Sequence, residues 1–330
     1  MPAYRTRRVE AILSSRRGLQ RVLLDDASRA YVLTQLVGPV AAGDRVVVNT
    51  TAVDLRLGTG GWHVVHWNLE RDSYDEAGSG HILKLRYTSL QVDVGAAEEH
   101  RPLTIDDLGG APVVACGLHS QLPAVAVAFH AASAVPRRLV YVMTDGAALP
   151  LALSDLVHDL QERRLIAGTV TAGQAFGGDF EAVNVHDGLL VARDHAAADA
   201  IVAGIGPGVV GTGTKFGHTG LDVVGIVDAA AALRGIPIVA VRFSESDRRE
   251  RHRGPSHHTM TAVELAARRL LVPDPDELDV PDVGALLSAQ GLVVTTMGRS
   301  PADDPAFFQW AGAAGVAAAR VLDAGNVERT

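Results

Sequence analysis

Residues 200–233 read AIVAGIGPGVVGTGTKFGHTGLDVVGIVDAAAAL. An apolar run short enough for a buried strand passes into a stretch with seven glycines between Gly204 and Gly220, then into a segment of helical spacing. Strand, loop and helix in that order form the repeating unit of a parallel sheet. A glycine loop at that junction also brings backbone amides to where they can meet an anion.

The same alternation recurs on both sides. PVVACG precedes QLPAVAVAFHAASA, RLVYVMT precedes LPLALSDLVHDLQERR, and LIAGTVTA precedes EAVNVHDGLLVARDHAAA. Beyond the glycine loop, PIVAVRF precedes HTMTAVELAARRLL and LVVTTM precedes DPAFFQWAGAAGVAAARVL, with PDPDELDVPD as an exposed connector. Together these predict six strands in a doubly wound, largely parallel, Rossmann-like α/β sheet covered on both faces.

The start of the chain has a different period. RVEAIL, LQRVLLDD, AYVLTQLV, DRVVVNTTAVDLRL and WHVVHWNL alternate in steps of two, separated by SSRRG, GPVAAGD and GTGG, which predicts a small antiparallel β barrel or sandwich. HILKLRYTSLQVDV is a further strand candidate, with Lys84 and Arg86 on one face, turned to water or, as the alternative, reaching across to the glycine loop. TIDDLGGAP reads as a linker, giving a β-rich domain over 1–108 and an α/β domain over 109–330.

Composition narrows the function. At 330 residues and 47% apolar, the chain can bury two cores. Its single cysteine, Cys116, excludes an intramolecular disulfide and fits a reducing compartment; with no signal-like start and no uninterrupted apolar span, a cytoplasmic protein is expected. A net charge of −8 argues against nucleic acid as a partner. Of thirty basic residues only Lys84 and Lys215 are lysine, which singles out Lys215 inside the glycine loop.

In an open parallel sheet, ligands bind beyond the carboxyl ends of the strands. His119 and Asp145 follow the first two strands of the α/β half, Asp179 and Glu181 follow the third, and His257 and His258 open a later helix. These six are the candidate acids, bases or metal ligands. Gly206, Gly208, Gly211, Thr212, Gly213, Thr214 and Lys215 are the candidate anion cradle. GVVGTGTKF misses the phosphate-loop pattern by one residue and lacks the hydroxyl after lysine, and Pro207 breaks a dinucleotide fingerprint, so a structural turn is the alternative.

Other residues have ordinary explanations too. Asp179 can cap a helix, and Cys116 can be a small buried hydrophobe. In RFSESDRRERHRGPSHHT most arginines, Arg242 among them, read as a solvated, self-paired run, whereas His252, His257 and His258 suit proton transfer or metal ligation. Adjacent histidines on a helix diverge, so at most one of His257 and His258 is expected to face a given ligand.

These features favour a hydrolase or transferase holding an anionic small molecule, such as a nucleotide or sugar phosphate, at the sheet edge. A non-catalytic binding or assembly module and a metal-dependent hydrolase are the alternatives. The sequence names no cofactor and no metal, leaves a homo-oligomer open, and points to neither nucleic acid nor membrane as partner.

NTTAVDLRLGTGG, GHILKLRYT, LHSQLP, MTDGAALPLA, AFGGDFEAVNV, GPGVVGTGTKFGHTG and RHRGPSHHT together resemble an uncharacterised bacterial family, domain-of-unknown-function family 3866. The resemblance spans most of the chain and implies one functional unit. It brings no reaction or site residue with it.

Overall fold

The computed structural model describes residues 2–57, 60–78 and 80–327; Gly58 and Thr59 of the GTGG separator lie outside the described residues. The chain divides into two compact units, Met1–Val94 and Gly95–Thr330.

The first unit is built on a closed barrel. Its strands are β1 (Tyr4–Arg16), β2 (Leu19–Leu24), β3 (Arg29–Leu33), β4 (Arg45–Asn49) and β5 (Trp62–Asn68), with single-turn helices α1 (Thr34–Val37) and α2 (Thr51–Asp54). The order β1-β2-β3-β5-β4 closes because the long β1 pairs β4 through its first half and β2 through its second, with bulges between Val9 and Ala11 and between Ile12 and Ser14. Bulges bend a strand, and closure removes exposed edges. The period-two pattern turns Val9, Val22, Leu24, Val46, Val48 and Val65 into the interior.

HILKLRYTSLQVDV is not one strand. It forms a two-stranded ribbon of β6 (Leu83–Lys84) and β7 (Val92–Asp93), because the chain turns at Leu85 and Tyr87, both with positive φ. Lys84 does not face water: it is 1% exposed.

The second unit opens with the short α3 (Ala97–His100), followed by β8 (Pro112–Cys116), α4 (Leu122–Ala132), β9 (Leu139–Thr144), α5 (Asp155–Glu162), β10 (Gly168–Thr171), β11 (Phe180–Glu181), α6 (Val185–Asp194), β12 (Ala200–Ile205), α7 (Asp222–Ala232) and β13 (Ile236–Ala240). A small ribbon of β14 (Phe243–Ser244) and β15 (Gly254–Pro255) leads into α8 (His257–Leu265), α9 (Val283–Ala289) and α10 (Pro305–Val327). Strands β8 to β13 form one sheet in the order β11-β10-β9-β12-β8-β13, every pairing parallel.

Both faces of the sheet are buried. Val114 and Cys116 of β8 join the core beneath α4, α5, α9 and α10, while Val113 and Ala115 join the core beneath α6, α7 and α8. That is why the strands read as continuous apolar runs rather than alternating ones. The sixth strand differs from the one read in the sequence. LVVTTM joins no ladder; the two-residue β11 extends one edge of the sheet, while the outer side of β13 is bridged by Leu271.

Among the described residues no helix is long and apolar enough to cross a membrane.

Candidate functional site

All six strands end at the same edge, since all run parallel. The chain leaves β8 and β9 for α4 and α5 on one face, whereas it leaves β12, which lies between them, for α7 on the other. Loops that part to opposite faces open a crevice at the strand ends, the usual ligand position in such sheets.

One side of this edge carries a cleft of about 380 Å3, walled by Leu118, His119 and Ser120, by Asp155 and Asp159 of α5, by Pro207–Val209, and by Val293, Val294, Thr295 and Met297 of the LVVTTM segment. His119 is held at both ring nitrogens: Nε2 lies 2.7 Å from Ser154 Oγ and Nδ1 lies 3.3 Å from Tyr141 Oη. Ser154 caps α5 by accepting from Val157 N at 3.0 Å, and Tyr141 donates to the carbonyls of Gly204 and Ile205. Burial pulls the His119 imidazole down to about 4, so the ring is neutral at neutral pH and held in place. The cleft brings His119 and Gly208 together, but its charged walls, Asp155 and Asp159, are acidic and disfavour an anion.

Asp145, after β9, accepts from Gln174 N at 2.8 Å. Gly173 has φ +69°, and a Cβ there would lie 2.3 Å from the Asp145 carboxylate, so only glycine fits. Nearby Asp222, at the start of α7, is shifted upward by burial and by the charge of Asp145, against a 3.2 Å bond from Thr144 Oγ1.

Asp179 and Glu181 are bound into the sheet's far edge. Asp179 accepts from Thr169 N and Oγ1 and from Gln161 Nε2, and Glu181 accepts from Thr171 Oγ1 and Gly177 N. They belong with β11, at the opposite edge from β13. Six strands spaced by ~4.8 Å separate the two edges by about 24 Å. These carboxylates are therefore not brought to His257 and His258.

The glycine loop folds on itself. Gly211 and His218 form an antiparallel bridge, Thr212 N donates to the Gly217 carbonyl at 2.7 Å, and Thr214 Oγ1 accepts from Gly217 N while contacting Thr212 Oγ1 at 3.0 Å. Gly206 follows β12 directly, where a Cβ would strike the Ala148 carbonyl, and Gly213 turns with φ +85° beside Arg251. Lys215 is half-exposed and its ammonium pairs with Glu264 of α8 at 2.7 Å. The residue this loop delivers inward is His218, which stacks on His258 with ring centroids 3.7 Å apart.

His218 there meets a second group of residues beyond β13. Arg242 is 4% exposed and is fixed through its backbone, with N donating to Thr259 Oγ1 at 3.1 Å and O accepting from Ser256 N at 2.8 Å. Its Nη1 donates to His258 Nδ1 at 3.3 Å, while Nη2 lies 3.6 Å from Asp247 without a hydrogen bond. Asp247 also takes two bonds from the Arg249 guanidinium and one from Arg299 at 3.5 Å. Burial alone would raise Asp247, but the Arg249 bonds outweigh it and hold the carboxyl well below its ordinary range.

Four imidazoles gather beside Arg242. His252 Nδ1 lies 2.7 Å from Ser256 Oγ, the side chain that caps α8, and its ring sits 5.0 Å from His257 and 4.8 Å from His258. Both members of the adjacent pair take part, their rings 4.4 Å apart, contrary to the divergence expected of neighbours on a helix. His257 and His258 occupy the first turn of α8, and the approaching loop gives each a partner there. Desolvation is the largest influence on all four and keeps them neutral. It pulls His252 and His258 down to about 3, reinforced by Arg242 for both and by His218 for His258, and it lowers His218 and His257 as well.

A cavity of about 10 Å3 touches this cluster at His258, lined also by Gly117, Gly220, Val223, Val239, Ala240, Arg242 and Thr259. Three buried polar atoms here have no hydrogen-bond partner among the described residues: Arg242 Nη2, His218 Nδ1 and His257 Nε2. Each unmet group in such a place disfavours the fold by ~1–3 kcal/mol unless something binds it.

Arg242 and His218 are the residues that sequence reasoning passed over. Arg242 stands directly after the PIVAV run, and His218 inside GHTG of the glycine loop. A place just beyond a strand end marks Arg242, but not its burial, and His218 lies thirteen residues beyond the end of β12.

A family model described as "Protein of unknown function (DUF3866)" matches residues 29–282, which takes in the glycine loop, Arg242 and the histidine cluster. No curated protein matches the chain.

Proposed function

The chain belongs to the DUF3866 family, whose description names no activity, and from that premise we propose that it is a hydrolase or transferase holding the anionic group of a small molecule against Arg242. One observation carries this reading: a buried guanidinium with an unmet donor stands beside neutral imidazoles and forms part of the wall of a cavity of about 10 Å3. Arg242, Arg249 and Arg299 face Asp247 and Asp304, three positive charges against two negative, so a bound anion would complete the balance. Neutral imidazoles beside the anion can take a proton from an attacking water or hydroxyl.

The glycine loop serves this site by presenting His218, and Lys215, already paired with Glu264, is not its anchor. Thermal-shift titration with inorganic phosphate, pyrophosphate and a panel of sugar phosphates and nucleotides tests the assignment. Stabilisation by at least one of them is expected to be lost in Arg242→Gln and retained in Lys215→Ala. The opposite ranking, or no stabilisation by any anion, would overturn it.

A further inference from the structure

The imidazole cluster has a property that an anion alone leaves unexplained: the unmet nitrogen of His218 is an acceptor. His218 Nε2 lies 3.1 Å from the Lys215 carbonyl, which can only accept, so the ring proton sits on Nε2 and Nδ1 presents a lone pair. That Nδ1 is buried without a hydrogen-bond partner among the described residues, on a side chain only 7% exposed. His257 Nε2 is likewise buried without a partner. One ring nitrogen from each of His218, His257 and His258 lies within 4.8 Å of one from each of the others. The space before two of these nitrogens is kept open by glycine: a Cβ on Gly220 would come 3.2 Å from His218 Nδ1 and 3.6 Å from His258 Nδ1.

We propose that His218, His257 and His258 form a three-imidazole site for a divalent transition metal, Zn2+ by ligand type, with the fourth position open beside Arg242. Three neutral imidazoles with an open fourth position are the donor set of a catalytic rather than a structural zinc site. A ring nitrogen bonded to a backbone carbonyl, as His218 Nε2 is, is the usual outer support that orients a ligating histidine. Ideal tetrahedral geometry at ~2.0–2.1 Å per bond requires the three nitrogens to draw in from their present spacing, with the half-buried His257 and His258 turning towards the buried His218 and His258 leaving its parallel stack on that ring. Because Arg242 can only donate, His258 Nδ1 is an acceptor and its ring proton sits on Nε2; binding a metal through Nδ1 gives up the 3.3 Å contact and frees the guanidinium for the ligand.

The site stands on side-chain geometry; it rests on the anion reading only for what fills the fourth position. A metal there would lower the pKa of a bound water and make it the attacking nucleophile. Metal-stripped full-length chain is titrated with Co2+ and Zn2+, following Co2+ absorption and heat. The expected result is one ion per chain with an intense, low-coordinate Co2+ spectrum, and affinity reduced by ~100-fold or more in His257→Ala and in His218→Asn. His252→Asn, whose ring is tied to Ser256, should change it by far less.

Absence of stoichiometric Co2+ or Zn2+ binding to the wild-type chain would overturn the proposal without needing any variant to fold. So would tight binding unaffected by His257→Ala and His218→Asn. Arg242→Gln separates the two readings: metal retained with phosphate stabilisation lost supports both. Metal without any anion binding to the wild type removes the anion reading alone, and anion binding with no metal removes the metal site alone.

Discussion

At the scale of single residues, burial sets the chemistry. His119 is neutral because its ring is desolvated, while Ser154 and Tyr141 fix its orientation. An unfolded histidine titrates near ~6.5, whereas folded His119 stays neutral down to about 4. Between those values the unfolded chain binds more protons, so the His119 contribution to stability is complete above pH ~6.5 and is lost as pH falls towards the folded value. Melting temperature followed from pH 7.5 to 4.5 should fall less steeply in His119→Asn than in the wild type; parallel profiles would show that His119 is not the titrating group. Gly173→Ala should lower stability and move Asp145, because both the +69° φ and the 2.3 Å approach exclude a Cβ. A melting temperature equal to wild type would contradict that. Neither Gly173 nor Arg242 could be valued from sequence, since a glycine shows its reason only against the carboxylate it clears, and an arginine in a charged run shows its burial only in the fold.

At the scale of elements, packing distances carry the information. Helix α10 lies along α4 so closely that a Cβ on Gly315 would come 2.2 Å from the Val125 carbonyl and 2.9 Å from Phe129 N. Gly315→Ala therefore gains helix propensity of up to ~1 kcal/mol but forces two buried helices apart. The net expectation is a loss of about 1–3 kcal/mol, read by denaturant titration; a stabilised variant would show that the helices separate freely. The strand-to-helix alternation of the second unit was legible because strands buried on both faces are continuous apolar runs, as PVVAC and LVYVMT are. LVVTTM has the same composition and is not a strand; it lines the same cleft as His119 instead. LVVTTM alternates buried Leu292, Val294 and Thr296 with exposed Val293, Thr295 and Met297, so an apolar run shows neither burial on both faces nor ladder membership, and Leu271 holds the outer side of β13.

At the scale of the whole molecule, each unit holds its own core: the barrel interior lies within Met1–Val94, and both layers around the parallel sheet lie within Gly95–Thr330. Residues 95–330 expressed alone should give an α/β circular dichroism spectrum and a cooperative melt, and should keep the phosphate response of the full chain. A molten or insoluble fragment would show that its core is not self-sufficient. The amino-acid sequence by itself determined the two periods, hence a small β domain, barrel or sandwich, and a parallel α/β sheet, because hydrophobic periodicity is a local property of the chain. It also determined that polar residues collect at the strand ends, because loops follow strands in order. Only the tertiary structure decided which of those residues meet. Strand order is set by long-range pairing, and the order β11-β10-β9-β12-β8-β13 carries Asp179 and Glu181 to one edge while a folded-back glycine loop sets His218 against His258 and Arg242 near the other.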